Sequence, residues 1–171
     1  MRDPIDVISE KISTYKFFRG QKSREVTEYI YAIGINMVGV ILITALFGKL
    51  LGTSNHAIIA MMSFFVLRKF SGGFHFRSLT LCMVVTVGLF SIIPFINIST
   101  VYIQLINVIS ITILLLFAPN NMKQIPIIFQ SPLKVISVII VMTNFFIIDS
   151  NIALSFFAQA ILLIPTREVK Q

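Results

Sequence analysis

Two residues in this chain have the side-chain chemistry of a thiol nucleophile and its base. His75 and Cys82 stand seven positions apart, and Cys82 is the only cysteine in 171 residues. A free thiol is mostly protonated at neutral pH, whereas the thiolate is the form that attacks. An imidazole within hydrogen-bond reach takes that proton and later delivers one to a leaving amine, as in a cysteine peptidase. One straight helix cannot serve both residues, because seven helical residues span about 10 Å along the axis. The spacing therefore predicts a helix that begins near residue 79 and carries Cys82. His75 would lie on a loop that folds back against it, and Gly72 and Gly73 supply the backbone freedom for that fold. Plainer readings exist. A lone cysteine in an apolar helix usually packs as a small hydrophobe, and a lone histidine near a membrane interface usually belongs to a loop.

The surrounding stretch, residues 68–78, is the densest polar segment of the chain and includes Arg68, Lys69, Gly73 and Ser78. Its charges also read as orientation signals. One cysteine allows no intrachain disulfide. With two well-separated histidines it allows no zinc cluster either, so no metal or other cofactor is expected. His56 is expected on the opposite side of the membrane from Cys82, and Asp149 reads as a turn residue.

The elements that must position the pair are membrane helices. Hydrophobic residues make up 56% of the chain and charged residues only 12%. A soluble domain carries about 25% charge, so the solvent for most of this chain is lipid. No cleavable signal peptide is expected, because residues 1–28 hold no continuous apolar run. Within them, Ile5, Ile8, Ile12 and Tyr15 fit one face of an amphipathic helix over residues 4–19, lying on the membrane surface or packed on the protein. Apolar segments follow at 29–51, 56–67, 79–96 and 101–118, with a last region at 133–164 that Asp149-Ser150-Asn151 divides in two. The segment at 56–67 is short and spans only if tilted or if the bilayer thins around it. The predicted fold is an all-α polytopic bundle of about six spans. The N-terminal segment covers 1–28, the membrane domain 29–171, and cytoplasmic loops lie near 68–78 and 119–132.

The basic residues agree with that path. With both termini inside, 13 of the 14 lysines and arginines fall on the cytoplasmic side, and only Lys49 does not. The net charge of +7 thus reads as membrane orientation and contact with anionic lipid rather than as nucleic-acid binding. Gly34, Gly39 and Ala45 in the first span are small enough for another helix to approach closely.

Arg68-Lys69, Gly73, His75, Ser78 and Cys82 together resemble the signature of the accessory gene regulator B (AgrB) family of bacterial membrane endopeptidases. Ala118-Pro119, Lys123 and Pro126-Ile127 look like that family's second cytoplasmic loop, and Gln159-Ala160-Ile161 through Pro165 like its last span. The second loop departs from the pattern, with one lysine, Lys123, where some members carry a basic run. The resemblance implies His75 and Cys82 as the catalytic pair, in a bacterial cell membrane, with the site on the cytoplasmic face. It implies a quorum-sensing propeptide (AgrD-like) as substrate, with an amphipathic leader, a central signal segment and an acidic tail. The tail is removed through a thioester, and the signal closes to a thiolactone or lactone. Arg68, Lys69, Gly73, Ser78 and Lys123 are then expected to bind substrate or shape the site, and a homodimer is expected. The rival reading is a transporter or scaffold for a small peptide, without chemistry. It calls for ionisable residues along a pathway inside the spans, and the sequence places few there.

Overall fold

The structure, a computed structural model, describes residues 4–13, 24–73, 78–120 and 127–164. They form seven helices: α1 Pro4–Ser13, α2 Arg24–Leu50, α3 Ser54–Ser71, α4 Leu79–Ile92, α5 Thr100–Phe117, α6 Ile127–Ile147 and α7 Ser150–Ile161. A 3₁₀ turn, Ile93–Phe95, extends α4. There is no strand among the described residues. Three stretches are long and apolar enough to cross a membrane: Tyr31–Leu50, Thr100–Phe117 and Gln130–Ile147. Leu79–Phe95 and Ser150–Ile161 are apolar but shorter. The 18 residues of α3 rise about 27 Å, just under a ~30 Å hydrocarbon layer.

Two boundaries differ from expectation. Residues 68–71 were expected in a loop, yet α3 runs through Ser71, so Arg68 and Lys69 sit in its last turn. Nothing before Gly72 breaks the helix. Gly72, at φ +72°, then ends it in the left-handed conformation that glycine favours, with its N–H on the Arg68 carbonyl. The loop expected to reach Pro132 also ends early: α6 starts at Ile127 and contains Pro132. Membrane helices tolerate an internal proline because local adjustment re-satisfies the freed carbonyl. The apolar run Ile127-Ile128-Phe129 therefore outweighs the proline signal.

The chain divides into two compact units. The first comprises Met1–Ser54 and His75–Ser91, and so holds α1, α2 and α4. Here α1 packs along α2 and buries Ile5 and Ser9, while Ile8 stays exposed. The expected boundary at residue 28 falls inside α2. Of the small residues in α2, Gly34 has open space around it, whereas Gly39 receives Met83 of α4: a Cβ there would lie 2.7 Å from Met83 Cε. Gly48 permits the tight turn into Ser54, whose Cα would be 2.9 Å from an added Cβ.

The second unit comprises Asn55–Phe74 and Ile92–Gln171. In it α5 packs against both α6 and α7 around a core of Leu67, Leu114, Ala118, Val141, Phe156 and Leu163. α5 and α6 run antiparallel, because the Asn144 amide, late in α6, donates to Asn107 Oδ1 in the middle of α5, and Lys134 Nζ, early in α6, donates to the Leu115 carbonyl at the end of α5. α3 and α7 run parallel. His56 Nδ1 lies 3.2 Å from the Asn151 amide near the start of each helix, and Arg68 bonds Gln159 near the end of each. Asp149 does turn the chain: its carboxylate accepts from the Ile152 N–H and caps α7.

Candidate functional site

Cys82 lies in the first turn of α4, a helix that begins at Leu79 as the spacing of Cys82 from His75 predicts. Ser78 starts that helix. Its hydroxyl accepts from the Leu81 N–H at 3.1 Å, and its carbonyl accepts from the Cys82 N–H at 3.1 Å. This is the bonding of an N-cap serine. Ser78 therefore fixes the turn that carries the thiol. Cys82 is half-buried. Thr86 and Phe90 follow at helical spacing on the same face and are buried. Leu81, Val84 and Val85, on the other faces, are exposed. The thiol thus stands at the outer end of the inward-facing stripe of α4. Met83, the next residue, fills the space that Gly39 leaves on α2. His75 and Lys123 lie outside the described residues.

Arg68 and Gly73 come together in the second unit, around a residue that the sequence reading placed in the last-span motif without a role at the site. Gln159 of α7 is fully buried. Its Oε1 accepts from Arg68 Nη1 at 3.2 Å, and its Nε2 donates to Ser71 Oγ at 3.0 Å and to the Gly72 carbonyl at 2.6 Å. The Arg68 guanidinium also lies over the Phe64 ring, 5.6 Å from its centroid, in reach of a cation–π attraction. Lys69, its neighbour, is exposed and takes no part. Gly73 adopts φ +125°, and an added Cβ would meet Gln159 Nε2 at 3.2 Å and the Leu162 carbonyl at 3.3 Å.

Asn120 closes the cluster from the other side. Its carbonyl accepts from the Gly73 N–H and its N–H donates to the Ser71 carbonyl, each at 3.1 Å. Its side-chain amide donates to the Leu163 carbonyl at 2.8 Å. A cis peptide bond joins Ala118 to Pro119 just before it. The end of α3, residues 118–120 and the end of α7 are thereby tied together by backbone and amide bonds. Gln159 and Asn120 were legible only in part. A single glutamine within an apolar run signals a partner, because an unpaired amide there is costly, but the sequence does not say which partner. Among the described residues no group of three His, Cys, Asp or Glu side chains gathers as around a metal ion.

The accessory gene regulator B family model matches residues 5–166, which include both segments just described. The chain belongs to the accessory gene regulator B family. AgrB membership places it in the processing of quorum-sensing propeptides, and its three long apolar helices agree with the membrane-bound character of that family. No match was found among curated proteins or among solved structures. The matched span includes the capped first turn of α4, which carries Cys82, and the Gln159 cluster.

Proposed function

We propose that this AgrB protein is a membrane cysteine endopeptidase that cuts the C-terminal tail from an AgrD-like propeptide. The observation that carries the reading is the position of Cys82, in the capped first turn of α4 and on its inward stripe, within a chain that matches the family over nearly its whole length. A cysteine that merely filled apolar space would suit the buried middle of that stripe better than its half-buried end.

His75 takes the proton of Cys82, and the Sγ attacks the carbonyl that joins signal to tail. The amine of the tail leaves with a proton from the imidazolium. The acyl group remains on Sγ as a thioester. A thiol or hydroxyl within the signal segment then attacks that carbonyl, closes the ring and returns the Cys82 thiol. Thioester-to-thiolactone exchange conserves bond type, so no energy source is needed. Water must be kept from the thioester, or a linear peptide forms instead.

Arg68 contacts the substrate backbone or tail. Lys69 and Lys123 add positive charge that attracts the acidic tail, with anionic lipid as a second partner for the same face. Gly73 and Ser78 shape the site. The protein works as a homodimer with the site on the cytoplasmic side, and its chain crosses the membrane six times. Support for that path comes from α3 and α7. The pairs His56–Asn151 and Arg68–Gln159 each join residues that the six-span path puts on the same side.

The test is co-expression with a propeptide bearing a tagged tail. Cys82→Ala is expected to bind the propeptide and leave it whole, and His75→Ala to leave it whole as well. Tail release by either variant at the wild-type rate sinks the assignment and favours a carrier or scaffold.

A further inference from the structure

We propose that the starts of α3 and α7 form the floor of a water-filled recess in the second unit, sunk about 10 Å below the start of α5 and at the opposite end from Arg68 and Gly73. The inference rests on α5 as a membrane-crossing helix and uses neither Cys82 nor His75.

Hydrogen bonds set the levels. Asn144, late in α6, donates to Asn107 Oδ1 at 3.3 Å and to the Asp149 carbonyl at 3.2 Å, and it accepts the Asp149 N–H at 3.1 Å. Asp149, the N-cap of α7, is thereby held level with Asn107. Asn107 stands seven residues beyond Thr100, the first residue of α5, which places it about 10 Å down the axis. The apolar core gives a similar offset. Phe156 lies about 9 Å from the start of α7, and Leu114, in the same core, about 21 Å from the start of α5. His56 Nδ1, 3.2 Å from the Asn151 amide, brings the start of α3 to the level of α7. α7 has 12 residues and rises about 18 Å, so a recess of about 10 Å makes up the rest of a ~30 Å hydrocarbon layer.

At that depth the medium is either hydrocarbon or water, and the side chains choose water on the α3 flank. Asn55 and His56 are exposed there, and Asp149 and Ser150 are partly so. Hydrocarbon solvates none of these groups. Irregular backbone at membrane depth is tolerated where protein buries it or where it lines a water-filled cavity. Asn107 is a second, independent sign. Its side chain is fully buried, yet its Nδ2 finds no partner among the described residues. An unpaired buried amide is costly, and water reaching the floor of the recess supplies the acceptor it needs. The flank formed by the end of α6 is different. Phe146, Ile147 and Ile148 are large, apolar and exposed, Phe146 to 88%. Ile148 even keeps its side chain at φ +56°, where glycine would be free of strain. That flank faces acyl chains, so the recess opens on the side of α3.

The experiment uses the full-length protein in vesicles of phosphatidylcholine and phosphatidylglycerol. Cys82→Ala removes the only cysteine, and Asn55→Cys, Ser150→Cys, Phe146→Cys and Asn97→Cys are then added singly. Asn97, exposed just before α5, is the surface reference. Two readouts are taken. The first is reaction with a charged, membrane-impermeant maleimide. The second is relaxation of an attached nitroxide by oxygen, which enters hydrocarbon, against a water-soluble nickel complex. The expected result is reaction at Asn55 and Ser150 as complete as at Asn97, with nickel reaching both. At Phe146 the maleimide reaction is lost, and oxygen alone relaxes the nitroxide. If the Ser150 variant does not accumulate, exposed Asn55 carries the wet arm. No reaction at Asn55 and Ser150 overturns the recess, because hydrocarbon or protein then fills it. Reaction at Phe146 equal to that at Ser150 also overturns it, because the turn then lies at the membrane surface. Neither readout uses catalysis, so failure here is distinct from failure of the peptidase reading.

Discussion

Replacing Gly73 by alanine should disable the protein without unfolding it. The residue has φ +125°, outside the left-handed well that other residues occasionally visit. Holding an L-residue there costs about 1–3 kcal/mol. The new Cβ would also press on Gln159 Nε2 at 3.2 Å and on the Leu162 carbonyl at 3.3 Å, both tighter than ordinary van der Waals contact. That cost is a fraction of the roughly 5–15 kcal/mol that stabilises a typical domain, so the fold should survive. The strain is relieved most cheaply by moving Gly73, whose N–H bond to Asn120 is a single 3.1 Å contact. On the proposed reading His75 follows two residues on, and a displacement of about 1 Å at a reacting group costs about 10²-fold in rate. Gly72→Ala is the control. Its φ of +72° lies near the left-handed well, where a non-glycine residue costs about 1–2 kcal/mol. The assay is release of the propeptide tail, followed by mass spectrometry and normalised to protein in the membrane. Gly73→Ala should fall by about 10²-fold and Gly72→Ala by much less. Wild-type cleavage by Gly73→Ala, or a larger loss in Gly72→Ala, refutes the reasoning.

Ser78→Ala removes the α4 cap and should cost about 1 kcal/mol, seen as faster amide exchange at Leu81 and slower cleavage. Ser78→Asp, which can still cap, should recover both. Asn144→Leu deletes the acceptor of the half-buried Asp149 N–H and the partner of the buried Asn107. It should lower stability by about 1–3 kcal/mol for each group left unpaired, measured by detergent-induced unfolding. In a Cys82→Ala background, single cysteines at exposed Lys69 and Asn97 should label from opposite sides of the membrane; labelling from one side overturns the six-span path.

The helices were legible wherever an apolar run met a strong terminator. Gly52, Asn97-Ile98-Ser99 and Asp149 all end or start helices close to the expected positions. The reading failed where a helix carried polar residues or proline. Arg68 and Lys69 extend α3 because charged residues in a last turn do not stop a helix, and Pro132 sits within α6. At the site, the start of α4 and the placement of Cys82 followed from helix pitch and two glycines. The partners of Gln159 did not, because its bonds cross 91 positions to Arg68 and 88 to Ser71. Periodicity shows which face of a helix is apolar. It does not show which distant chain end will meet a lone amide on that face.

The parallel run of α3 and α7 bears on the path of the whole chain. Ser71 leaves α3 at the end marked by Arg68 and Gln159, and Ser150 opens α7 at the end marked by His56 and Asn151. Between them α5 and α6 run antiparallel and are among the stretches long enough to cross a membrane. Two opposed traverses return a chain to the side it left. Reaching the other side takes one traverse more, and Leu79–Phe95 is the apolar segment available for it. That segment is short, but a thinned bilayer accommodates short helices at modest cost. One further traverse is what the proposed six-span path requires, and the count is made from the directions of α3, α5, α6 and α7 alone.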